Sequence, residues 1–120
     1  MLNDATSFKT IYISTGYTDL RSGIDRLVAT VEMQLGRNPC EPDTLYLFCG
    51  RKTDRIKGLV WERDGWLLLY KRLASGGFQW PRSADEVKSL TPQQFRWLME
   101  GLTIQPRKAV KQVEAPEYTA

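Results

Sequence analysis

The sequence contains no histidine and only two cysteines in 120 residues. Without imidazole it lacks the commonest general base, the commonest metal ligand and the usual partner of a nucleophilic serine or cysteine, which weakens every enzyme class built on them. Cys40 and Cys49 stand too far apart for a redox Cys-x-x-Cys pair and are too few for a disulfide framework, so both read as ordinary thiols. No apolar run approaches the roughly 20 residues that span a bilayer. The stretch Met1 to Lys9 lacks the basic start and apolar core of a secretion signal, so a cytoplasmic location without membrane contact is expected. Neither G-x-x-x-x-G-K-S/T nor G-x-G-x-x-G occurs, which removes the phosphate-cradling loops of nucleotide hydrolases and dinucleotide enzymes. Nothing calls for a cofactor.

An apolar share of 42% with 26% charged residues is ordinary for a globular chain, and this length supports one hydrophobic core. The charge is unevenly placed. Between Arg51 and Arg82 eight cations (Arg51, Lys52, Arg55, Lys57, Arg63, Lys71, Arg72, Arg82) face three acids (Asp54, Glu62, Asp64), a local balance of +5 in a chain whose net charge is +3. A concentrated basic stretch beside neutral or acidic surroundings is the pattern of a phosphate-facing patch; scattered solvated cations would give the same count.

Thr10 to Ser14 is β-branched and aromatic and reads as a first strand. Ile24, Leu27, Val28, Val31 and Leu35 recur at the spacing of one helix face, with Ser22 and Asp25 as N-terminal caps and Gly36 as the stop. Thr44 to Cys49 reads as a central strand, and Arg55 to Glu62 and Trp66 to Leu73 read as the arms of a hairpin around Asp64-Gly65. Phe78 to Trp80 is a further stub closed by Pro81. Thr91-Pro92-Gln93-Gln94 carries three helix-start marks at once, and Phe95, Leu98, Met99 and Leu102 form the apolar stripe of that second helix. The expected fold class is α+β: one domain over residues 1–104, an antiparallel sheet of four to five strands, a long helix after the first strand and a C-terminal helix, both helices covering one sheet face. Residues 105–120, with two prolines and little to bury, read as a flexible tail.

With Asp64 and Gly65 as the turn, Trp61 would oppose Leu68, Leu59 would oppose Tyr70 and Lys57 would oppose Arg72. One hairpin face then carries Arg55, Lys57, Leu59, Trp61, Trp66, Leu68, Tyr70 and Arg72; the other, with Ile56, Gly58, Val60, Leu67, Leu69 and Leu73, is a core face whose one charge is Lys71. Like charges across a strand pair repel unless an anion bridges them, and interleaved rings offer stacking surface for bases. The competing reading makes Trp61, Trp66 and Tyr70 core, with Lys57 and Arg72 snorkelling to the rim and pairing with Asp54 or Glu62. Asp19, Asp25, Asp54 and Asp64 could gather around a metal, but capping, turn and ion-pair roles account for them more simply, so no metal site and no catalytic residue is expected. Asp19 also suits the N-terminal end of the first helix, leaving Arg21 to project.

The run TDLRSGIDRL at Thr18 to Leu27, the run FCGRKTDRIKGLVWERDGWLLLYKRLASGGFQWP at Phe48 to Pro81, and LTPQQFRWLMEGL after it resemble the TnpB-type accessory protein, the second open reading frame, of insertion-sequence family sixty-six. The similarity extends from Ile11 to Leu102 and runs through Asp19, Arg21, Gly23, Asp54, Lys57, Trp61, Gly65, Tyr70, Lys71, Arg72, Leu73, Phe78, Trp80 and Pro81. It implies a role in transposition beside a separate transposase that carries the catalytic acids. Two functions follow as expectations. In the first, a non-catalytic DNA-binding module uses Arg55, Lys57, Lys71 and Arg72, helped by Arg21, Arg51, Lys52 and Arg82, to contact phosphates, while Trp61, Trp66 or Tyr70 stack. In the second, the chain docks on the transposase through exposed aromatics without touching DNA.

Overall fold

The computed structural model describes residue 2, residues 7–83 and residues 87–105. Seven elements follow in order: β1 (Thr10–Ser14), α1 (Ile24–Met33), β2 (Thr44–Cys49), β3 (Arg55–Trp61), β4 (Trp66–Arg72), β5 (Val87–Leu90) and α2 (Pro92–Met99). The five strands form one sheet in the order β4-β3-β2-β1-β5. The sheet is mixed, where an antiparallel one was expected: β1 and β2 run parallel, with Thr10 beside Thr44 and Ile13 beside Leu47. The reason is the intervening helix. A crossover through α1 returns the chain to the starting edge, whereas the short links between β2, β3 and β4 can only reverse it.

Each face of the sheet is covered by a different helix, which corrects the expectation that both share a face. On one face α1 lays Leu27 and Val31 over Tyr46, Phe48 and Leu59. On the other, Ile11, Ile13, Leu45, Leu47, Ile56 and Val60 meet Phe78, Trp80, Phe95, Leu98, Met99 and Ile104. Covering both faces explains why every residue of β2 is buried and why the run TLYLFC is apolar without alternation. Truncating Leu47, at 0% exposure, to alanine would cost about 2–5 kcal/mol.

Helix α1 spans ten residues and has Gly23 as its N-cap, with no side-chain capping bond, so neither Ser22 nor Asp25 caps it; Asp25 lies in the first turn, where its charge meets the helix dipole. Its end is as the sequence predicts. Gly36 adopts φ 63°, and the Arg37 N–H just beyond it reaches back to the Val31 carbonyl at 3.0 Å, so the helix closes through a left-handed glycine. Helix α2 starts with a full capping box: Thr91 accepts from the Gln94 N–H at 3.1 Å and its own N–H donates to Gln94 Oε1 at 3.0 Å. Leu102 lies past the end of α2 and is 50% exposed, so it leaves the buried stripe expected of it.

Phe78 to Trp80 is not a strand; it crosses the second face as a strap. The Phe78 N–H donates to the Thr53 carbonyl at 2.7 Å, and Trp80 Nε1–H donates to the Ser14 carbonyl at 2.8 Å. Strand β5, which no sequence signal marks, pairs antiparallel with β1 from Ser14–Val87 to Ile11–Leu90. Of the expected tail only residue 105 falls among the described residues.

The hairpin keeps its predicted faces but not its predicted register. Trp61 pairs with Trp66, Leu59 with Leu68, Lys57 with Tyr70 and Arg55 with Arg72. The chain turns over Glu62 to Gly65, the Glu62 N–H donates to the Gly65 carbonyl at 2.9 Å, and the positive φ falls on Arg63 (74°) instead of on Asp64 and Gly65. A two-residue slip leaves every side chain on its face. It also brings the two tryptophans opposite each other with centroids 4.8 Å apart, a ring pair worth about 0.5–1.5 kcal/mol beyond its area.

Candidate nucleic-acid interface

Parallel strands β1 and β2 end together, and the loops that leave them, residues 15–23 and 50–54, enclose a cleft of about 470 Å³. Open sheets commonly bind ligands outside the carboxyl ends of parallel strands, because the loops there diverge and leave a crevice. This crevice is lined by Tyr17, Asp19, Arg21, Arg51, Lys52 and Arg55, among others. Four of those six side chains are cationic and one is acidic.

Each cation is held differently. Arg21 is locked to Asp19: its Nε and Nη2 donate to the carboxylate at 3.0 and 2.8 Å, and its backbone N–H donates to Oδ1 at 3.0 Å. These bonds hold the Asp19 carboxyl well below the usual carboxylate range, while the Arg21 side chain remains 91% exposed. Arg55 forms a second fork with Asp54, at 3.0 and 3.1 Å, which pulls the Asp54 carboxyl down as well. Arg51 lies 5.1 Å from the centre of the Tyr17 ring, and Lys52 is exposed beside it. No acid pairs with either among the described residues.

The hairpin extends this group across the sheet. Arg72, exposed, stands opposite Arg55, so the like-charged cross-strand pair is Arg55–Arg72 and not Lys57–Arg72. Lys57 reaches over to donate to the Ser22 carbonyl at 3.0 Å, lies 5.9 Å from the Tyr70 ring centre, and is half-buried. Tyr70 is 52% exposed. Arg82 serves the same end of the sheet as a tie: its guanidinium donates to the Gly16 carbonyl at 2.9 Å and to the Gly50 carbonyl, joining the two loops, and sits 4.2 Å from the Tyr17 ring centre.

The eleven sequence candidates therefore divide. Arg21, Arg51, Lys52, Arg55, Lys57, Tyr70, Arg72 and Arg82 gather at one end of the sheet. Trp61 and Trp66 lie at the hairpin tip, six residues along β3 from Arg55, hence about 20 Å away. Trp66 packs against the α1 core, as the reading of the tryptophans as core would have it, and Trp61 is half-buried beside a second cleft of about 400 Å³ lined by Phe8, Asp43, Val60, Arg63 and Leu67. Lys71 projects from the opposite face of β4 and is half-buried. Tyr17, 64% exposed between Arg51 and Arg82, is the residue the sequence reading passed over. Its signal was a lone aromatic in the polar turn Gly16 to Asp19.

Among the described residues no three His, Cys, Asp or Glu side chains gather as a metal site, and no helix is long and apolar enough to cross a membrane. Cys49 is buried, which pushes its thiol up and away from the reactive thiolate.

Residues 9–109 match the family model described as IS66 Orf2 like protein. Two curated proteins of Sinorhizobium fredii (strain NBRC 101917 / NGR234) are similar. The uncharacterized protein y4hO is 33% identical over 92 residues, covering 77% of this chain and 79% of that one. The uncharacterized protein y4jC is 34% identical over 103 residues, covering 84% and 87%. No solved structure matches.

Proposed function

Because the chain belongs to the IS66 Orf2-like family, we propose that it serves transposition as an accessory protein that grips DNA phosphates with the basic cleft and its extension onto β4. The observation that carries this reading is the convergence of Arg21, Arg51, Lys52, Arg55 and Arg72 on one end of the sheet, where, among the described residues, Asp19 and Asp54 are the acids paired with them. Cations this close repel one another, and a phosphate chain relieves that repulsion while releasing its own counterions. Tyr17 and Tyr70, exposed among the cations, add ring faces against which sugars or unpaired bases can pack. The reading assigns the chain no reaction; catalysis belongs to a separate transposase with which it would act. The test is a mobility-shift titration of the full chain with duplex DNA carrying the transposon end and with an unrelated duplex. Binding at low salt that weakens as salt rises is expected, and no binding to any DNA at low salt refutes it.

A second reading, docking on the transposase, is favoured by the tip cleft beside Trp61 and Leu67, which lies away from the basic end. Charge reversal at Arg51 and Lys52 separates the two. It abolishes DNA binding under the first reading and leaves nuclease-resistant capture of transposase intact under the second.

A further inference from the structure

The outer edge of the sheet is β4, and no described strand pairs with its far side. The bonds flanking the hairpin reveal which backbone groups face outward. The Glu62 N–H donates to the Gly65 carbonyl and the Leu73 N–H to the Asp54 carbonyl, and both pairs belong to the same alternating series of the β3–β4 register. Leu67, Leu69 and Lys71 therefore bond to β3, while Trp66, Leu68, Tyr70 and Arg72 turn their N–H and C=O groups away from the sheet. A strand of seven residues whose outward groups no described strand takes up is a template for another strand.

Natural sheets protect such an edge with charge, proline or a bulge. Here the strand WLLLYKR carries its charges only at the end, contains no proline, and leaves Leu67 36% exposed. This asymmetry discriminates between partners. A parallel copy in register would set Arg72 beside Arg72, whereas an antiparallel copy centred on Leu69 sets Arg72 opposite Trp66, Lys71 opposite Leu67 and Tyr70 opposite Leu68. Residues opposed in this way share a face, so each guanidinium would meet an indole, and the contact occurs twice by symmetry. Arg72 has no acid partner among the described residues and faces Arg55 on its inner side, which makes it the cation with most to gain from a ring.

We propose that the chain forms a symmetric dimer by antiparallel pairing of β4 with β4 of a second copy, centred on Leu69, joining two five-stranded sheets into one. The outward groups of Trp66, Leu68, Tyr70 and Arg72 supply the hydrogen bonds. Leu69 meets its own symmetry mate as a non-hydrogen-bonded pair, with Cα atoms about 4.5 Å apart. The contact is isologous, so assembly stops at two copies. Stacking engages the face of the Arg72 guanidinium and leaves its N–H edge open, so the dimer is compatible with phosphate binding and does not depend on it.

Sedimentation of the full, unmodified chain over a concentration series should show a reversible monomer–dimer equilibrium. Cysteines placed by Leu68→Cys, Leu69→Cys and Tyr70→Cys in a Cys40→Ser background, where the remaining Cys49 is buried, then report the register under mild oxidation. Disulfide-linked dimer should be greatest for Leu69→Cys, because only the residue on the two-fold axis faces itself at disulfide range. A chain that stays monomeric at every concentration overturns the proposal without recourse to any variant. A dimer whose crosslinking is greatest at position 68 or 70, or absent at 69 in a variant with the wild-type circular dichroism spectrum, overturns it equally.

Discussion

Replacing Lys52 with alanine should flatten the salt dependence of DNA binding by about one phosphate equivalent. For a duplex the logarithm of affinity falls against the logarithm of salt with a slope of about −0.9 for each phosphate neutralised. Of the cations at the basic end, Arg21 and Arg55 are forked to Asp19 and Asp54, Lys57 donates to the Ser22 carbonyl and Arg82 to those of Gly16 and Gly50. That leaves Arg51, Lys52 and Arg72 without an acid or carbonyl partner among the described residues. Three contacts give a slope of about −2.7, so a fourfold rise in salt lowers affinity about 40-fold. Lys52→Ala removes one, the slope becomes about −1.8, and the same rise costs about 12-fold. If the two ion pairs open to the DNA, the wild-type slope steepens to about −4.5 and each variant still subtracts about 0.9. Fluorescence anisotropy of a labelled duplex over a salt series measures all of this. Arg82→Ala is the internal contrast: it should lower stability by releasing two loop carbonyls while leaving the slope near the wild-type value. Phosphate contact by these three cations is refuted if Arg51→Ala, Lys52→Ala and Arg72→Ala all keep the wild-type slope, or if Arg82→Ala flattens it as much as they do.

The strap gives a stability prediction: Trp80→Phe removes the indole donor to the buried Ser14 carbonyl and should cost about 1–3 kcal/mol in denaturant unfolding. Thr91→Ala deletes the hydroxyl half of the capping box at α2, the acceptor for the Gln94 N–H, and should cost about 1 kcal/mol, with Thr91→Ser recovering most of it. Asp19 is held low by the Arg21 side chain and then by its backbone N–H, so its folded pKa lies below the unfolded one. Its contribution to stability is present above the ordinary carboxylate pKa of about 3.9 and is lost as pH falls through the depressed folded value. Carboxyl NMR should place the Asp19 midpoint below that of a free aspartate, and Arg21→Gln should return it most of the way; an ordinary midpoint in the wild type would show that the fork does not persist in solution.

Much of this molecule is legible in one dimension because its signals are local. The left-handed stop at Gly36, the box at Thr91 to Gln94 and the two hairpin faces each follow from neighbouring residues and from the two-residue period of a strand. The basic stretch from Arg51 is likewise a local excess of charge. Family membership, too, lies in the order of residues from 9 to 109.

Other features were decided only when distant segments met. The parallel pairing of β1 with β2 depends on where α1 sends the chain, and β5 is a strand because β1 offers it an open edge. The hairpin slipped by two residues since either register keeps the same faces, and the contact between Trp61 and Trp66 favoured one of them. Charge counting could not separate the roles of the cations. Arg82 looks like Arg51 in the sequence, but the fold brings two loop carbonyls to Arg82 and, among the described residues, none to Arg51. Composition specifies how much charge a stretch carries; which charges remain available to a ligand is set by the partners that tertiary structure places beside them.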